Sequence, residues 1–66
     1  MSPVVAIFRG GPWDGHTARV PGEGRLLVRT FFKVSANTIE ELEKPITVTY
    51  IRGEKTIYGV EYAAEP

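Results

Sequence analysis

Large apolar side chains recur along this chain in short runs, mostly at alternate positions, and glycine and proline punctuate them. Val4 to Arg9 is rich in β-branched and aromatic residues and stops at Gly10-Gly11-Pro12, which reads as a first strand closed by a breaker. Trp13-Asp14-Gly15 carries turn chemistry, because aspartate can bond its own backbone and glycine accepts positive φ. The chain is therefore expected to reverse there into a short second strand, His16 to Val20. Pro21-Gly22-Glu23-Gly24 closes that strand, and Arg25 to Val34 reads as a longer third one. Its alternation places Leu26, Val28, Thr30, Phe32 and Val34 on one face and Leu27, Arg29, Phe31 and Lys33 on the other. The first set is expected to be buried.

Ser35-Ala36-Asn37-Thr38 then leads into Ile39-Glu40-Glu41-Leu42-Glu43-Lys44. Thr38 as N-cap, with Glu41 completing a capping box and glutamates in the first turn, favours a short helix over about 38–44 that Pro45 must end. An irregular loop is the alternative. Pro45 to Arg52 and Thr56 to Ala63 form two alternating runs around a glycine-containing turn. A loop at Gly53-Glu54-Lys55 sets Tyr50 opposite Tyr58, Val48 opposite Val60 and Ile46 opposite Tyr62, with all of these on one face. A shorter loop at Gly53-Glu54 would set Glu61 against Ile46 and is disfavoured.

The fold class expected is mainly β: a small five-stranded antiparallel meander or barrel with at most one short helix, about 38–44. The 66 residues make one domain, 1–66. With 42% hydrophobic and 24% charged residues the composition is that of a folding chain. Cysteine is absent, so no disulfide or thiolate-held metal supplements so small a core, which leaves self-association or docking as the expected reinforcement. Eight cations balance eight anions, which argues against a nucleic-acid module. No apolar run approaches the ~20 residues of a membrane helix, and Met1-Ser2-Pro3 lacks the basic start of a signal peptide.

Chemistry-bearing groups are sparse. His16 is the one histidine, and no neighbouring residues complete a metal-ligand spacing, so no metal and no cofactor are expected. Asp14 and His16 resemble half of a general-base dyad with no nucleophile beside them, and Glu40, Glu41 and Glu43 read as a solvated face. No catalytic residue and no small-molecule substrate are predicted. The glycines before Trp13 could in principle cradle a phosphate, yet no Lys-Ser/Thr follows and Pro12 removes a donor. Gly10, Gly11, Pro12, Trp13, Asp14 and Gly15 are instead read as a structural corner, with the Trp13 ring laid across the end of the barrel.

The string Arg9-Gly10-Gly11-Pro12-Trp13-Asp14-Gly15, with the tyrosine-rich end of the chain (Tyr50, Tyr58, Tyr62), resembles a group of small R-G-G-P-x-D-G proteins of actinobacterial tailed phages and their hosts. The likeness covers about the first third and last quarter of the chain. What it implies is a phage setting, in the virion or in the cytoplasm of the infected host cell, and no catalytic residues. The expected function is a non-enzymatic protein–protein interaction module, a virion accessory or assembly protein. An early phage inhibitor that binds one host protein is the alternative, and a small enzyme or nucleic-acid binder a distant third. The candidate interface is Leu27, Arg29, Phe31 and Lys33, where apolar and cationic side chains share the face turned from the inferred core. Cover by a closed barrel or by the short helix is the competing explanation for that face.

Overall fold

A computed structural model describes residues 3–35 and 38–66. Met1 and Ser2, and the Ala36-Asn37 approach to the expected helix, lie outside the described residues. The chain forms β1 (Val4–Arg9), a single 3₁₀ turn (Gly11–Trp13), β2 (Thr17–Val20), β3 (Arg25–Ser35), β4 (Thr38–Thr56) and β5 (Gly59–Ala64). One five-stranded sheet in the order β2-β1-β5-β4-β3 curls into a half-barrel. The mainly β class holds, but the sheet is mixed and is not a meander. β1 and β5 run parallel, with Ala6 opposite Val60 and Phe8 opposite Tyr62, while the other neighbours are antiparallel. This parallel pair occupies the middle of the sheet, where its inward side chains are enclosed.

The segment read as a helix over 38–44 is instead the first part of β4. It pairs with the end of β3, with Phe32 opposite Glu41, Lys33 opposite Glu40 and Val34 opposite Ile39. A helix of one or two turns cannot recover its nucleation penalty in isolation, whereas the strand continues an existing ladder and sets Ile39 against Val34. The capping residues at Thr38 and Glu41 are locally adequate and globally overruled. Between Thr30/Ile46 and Phe32/Glu41 the ladder breaks, with Leu42 to Pro45 bulging opposite Phe31. Pro45, which has no N–H to give, sits in that irregular stretch.

The β4–β5 register also differs from the expected one. Tyr50 faces Ala64, not Tyr58, and the turn falls at Ile57-Tyr58, leaving both side chains exposed. Thr56 holds the turn: its hydroxyl donates to the Gly59 carbonyl at 2.9 Å and accepts the Tyr58 N–H at 3.1 Å. Of the expected loop Gly53-Glu54-Lys55, Lys55 is instead paired with Val60, and Gly53 and Glu54 form a bulge opposite Glu61, between the pairs Arg52/Tyr62 and Lys55/Val60. Up to Arg52 the slip is six residues, which changes partners without changing faces; beyond the bulge it is seven, the extra residue being taken up by Gly53-Glu54 opposite Glu61. Tyr50, Val60 and Tyr62 therefore remain on the buried side.

The core consists of Ala6, Phe8, Val28, Tyr50, Val60 and Tyr62, ringed by half-buried Val4, Trp13, Ala18, Val20, Leu26, Val48 and Ala64. Phe8 is its centre. Trp13 and Tyr50 both meet the Phe8 ring edge-on, at 5.2 Å and 4.7 Å between centroids, the geometry that ring quadrupoles favour. The linker from β2 to β3 crosses the end of the half-barrel. It is fastened there by the Tyr62 hydroxyl donating to the Glu23 carbonyl at 2.6 Å and by the Arg52 guanidinium on the Gly22 carbonyl.

Candidate functional site

The Gly10–Gly15 segment folds into a tight corner between β1 and β2. Pro12, second in the 3₁₀ turn after Gly11, brings a preset φ and is buried. The Asp14 carboxylate accepts the Gly10 N–H at 2.8 Å, the Gly15 N–H donates to the Phe8 carbonyl at 2.8 Å, and the Phe8 N–H donates to the His16 carbonyl at 2.9 Å. From across the core the Tyr50 hydroxyl reaches into the corner, donating to the Gly10 carbonyl at 2.9 Å and accepting the Trp13 N–H at 3.0 Å. Burial pushes the Tyr50 phenol above its ordinary pKa; the Trp13 hydrogen bond partly offsets this, and the Asp14 charge reinforces it.

These contacts decide what the corner can do. The N–H groups of Gly10, Trp13, Asp14 and Gly15 are all bonded within the chain, so they are not presented to an anion. Asp14 is occupied with the backbone, and no hydrogen bond links it to His16 among the described residues. The His16 ring instead lies nearly parallel to Phe8 at 6.5 Å and edge-on to Trp13 at 5.8 Å. Glu40, Glu41 and Glu43 are exposed along β4, and no group of three or more acidic or histidine side chains among the described residues is placed to hold a metal ion.

Beside the corner, Trp13, His16, Thr30, Phe32, Val34 and Ile39 line an open, mainly apolar hollow of about 310 Å³. Thr30 is its polar anchor. The Thr30 hydroxyl accepts the Trp13 indole N–H at 3.3 Å and the Phe32 N–H at 3.0 Å, and donates to the Phe32 carbonyl at 3.0 Å. The alternation in β3 puts Thr30, Phe32 and Val34 on one face and predicts their burial; Thr30 is buried, but Phe32 is exposed and Val34 half-buried because they line this open hollow, which the sequence does not reveal since the pattern around Ile39 reads as a helix. The signal available was the lone threonine in an otherwise apolar row.

The four interface candidates lie on the opposite face of β3, and all are exposed: Leu27 retains 76% of its accessible surface and Phe31 51%. Among the described residues neither barrel closure nor a helix covers them. β3 is, among the described residues, an edge of the sheet and pairs only with β4. The Arg52 N–H donates to the Gly24 carbonyl directly opposite, at 2.9 Å, which fixes the alternation of the antiparallel ladder. Leu26, Val28 and Thr30 direct their backbone groups at β4, and Arg25, Leu27 and Arg29 direct theirs away from it. Backbone groups directed off the sheet thus belong to the same residues that carry exposed side chains. Arg25, Arg29 and Lys33 make no ion pair among the described residues, where the one pair formed joins Arg9 to Glu61 at 3.7 Å. No protein-family model, curated protein or solved structure matches the chain.

Proposed function

We propose that this chain is a non-enzymatic protein-interaction module that docks through the outer face and free edge of β3. The observation that carries the reading is the exposure of Leu27 and Phe31 among Arg29 and Lys33 on a strand that has, among the described residues, no neighbour on its outer side. Covering a leucine and a phenylalanine contributes roughly 1.5–3 kcal/mol each, and an unpaired strand edge adds main-chain hydrogen bonds to whatever completes it. The setting we propose, from the likeness to the R-G-G-P-x-D-G group, is a phage particle or its assembly in the host cytoplasm, with the chain as an accessory or assembly protein.

The test is the double substitution Leu27→Ser/Phe31→Ser, which touches no core residue. The variant is expected to keep the wild-type far-ultraviolet spectrum and to lose association, read as native mass in solution and as incorporation into particles when it replaces the wild-type chain. Unchanged mass together with unchanged incorporation contradicts the proposal.

A further inference from the structure

Resting on that reading of β3, we infer that the partner supplies an extended segment in which acidic and apolar residues alternate, added as a strand along Arg25–Lys33. The outer face of β3 presents Arg25, Leu27, Arg29, Phe31 and Lys33 in turn, a repeat of cation and apolar group, and β3 contains no acidic residue. Over Arg25 to Arg29 the backbone N–H and C=O groups of these same residues point outward. A strand laid there receives main-chain hydrogen bonds and meets each side chain at the two-residue spacing of a pleated ladder. Acidic groups opposite Arg25, Arg29 and Lys33, with apolar groups opposite Leu27 and Phe31, complement the row.

The other occupants fit less well. A second copy joined through β3 about a two-fold axis at Arg29 sets Arg29 against Arg29 and Arg25 against Lys33, which opposes like charges. Within the chain, Glu40-Glu41-Leu42-Glu43 is acidic, but it lacks the alternation and is already engaged beside β3. Charge on an edge strand can also serve only to repel other strands, yet that role leaves Leu27 and Phe31 in water without a reason.

The probe is an eleven-residue peptide, Thr-Glu-Thr-Val-Thr-Glu-Thr-Val-Thr-Glu-Thr, whose pattern is the same in both strand directions. It is titrated into the isotope-labelled chain and followed by amide chemical shifts, beside versions with Ser or Lys in place of Glu. The acidic peptide is expected to shift the Leu27 and Arg29 amides and to bind about tenfold more tightly than the Ser version at low salt. That advantage should be lost at ~1 M salt, where the Debye length falls to about 3 Å. Arg29→Glu should abolish the preference for Glu over Ser. Equal binding of the Glu and Ser peptides overturns the acidic partner and leaves β3 as a docking edge. Tighter binding of oligothymidylate or of phosphatidylserine vesicles also overturns it, because the cations would then read phosphate. If no peptide binds and Leu27→Ser/Phe31→Ser changes neither mass nor assembly, the docking reading falls as well.

Discussion

Gly11 and Tyr50 form the joint on which the corner depends. A Cβ on Gly11 would lie 2.8 Å from the Tyr50 hydroxyl oxygen and 3.1 Å from the Ala64 Cβ, at a φ of +64°. Gly11→Ala combines a left-handed backbone with overpacking and is expected to lower stability by about 2–3 kcal/mol, read as a drop of roughly 10 °C or more in melting temperature. Tyr50→Phe keeps the packed ring and removes the hydroxyl that satisfies the Gly10 carbonyl and the Trp13 N–H. Its expected cost is about 1–3 kcal/mol at neutral pH. The pH dependence follows from the raised phenol. Below about pH 10 folded and unfolded chains both hold the proton; above it the unfolded chain releases its proton first, so stability falls as pH rises toward the folded value. Urea midpoints taken at about pH 9 and about pH 11 should therefore fall more steeply for the wild type than for Tyr50→Phe. At this scale the sequence was informative about type and silent about partner: Gly-Gly-Pro and Asp-Gly marked a corner, while nothing near them indicated a tyrosine some forty positions on.

Among the elements, strands defined by alternation and breakers were recovered, and those whose limits depend on pairing were not. The third strand was legible along nearly its whole length because its two faces differ in polarity. The hairpin after it was misplaced because glycine is used there in two ways. Gly53 accommodates a bulge, where an added Cβ would lie 3.3 Å from the Glu61 carbonyl oxygen, whereas Gly59 follows the Ile57-Tyr58 turn and opens β5. Gly59 has φ +146°, and an added Cβ would meet the Val5 carbonyl oxygen at 2.5 Å, because β1 runs alongside β5 there. Gly59→Ala is thus expected to cost at least about 2 kcal/mol in urea unfolding. Gly53→Ala, with ordinary φ and a 3.3 Å contact that asks the Glu61 carbonyl to give by only a few tenths of an ångström, should cost less. The expected helix failed for a related reason: Thr38 and Glu41 satisfy a local rule, but the register of β3 decides that Ile39 lies opposite Val34 in a ladder.

For the whole molecule, alternation marks the covered side of β3 as far as Thr30 and of Tyr50, Val60 and Tyr62, fails at Phe32, Ile46 and Tyr58, which are exposed, and leaves the strand order open. The parallel contact of β1 with β5 joins opposite ends of the chain, and no local pattern encodes it. The outcome that matters for function follows from that order. With β1 and β5 central, β3 is left at an edge with Leu27 and Phe31 uncovered. The interface residues could be chosen from alternation alone, whereas the unpaired edge beside them required the sheet. Loss of association in Leu27→Ser/Phe31→Ser belongs to this scale, since it removes a surface without touching the core.

The most direct test of the account is residue-resolved amide exchange on the isolated chain at single-chain mass. The N–H groups of Leu26 and Val28, directed at β4, should exchange slowly, and those of Leu27 and Arg29, directed outward, should exchange quickly. Equal, strong protection of all of them would mean that β3 has no free edge and that the proposed docking site does not exist.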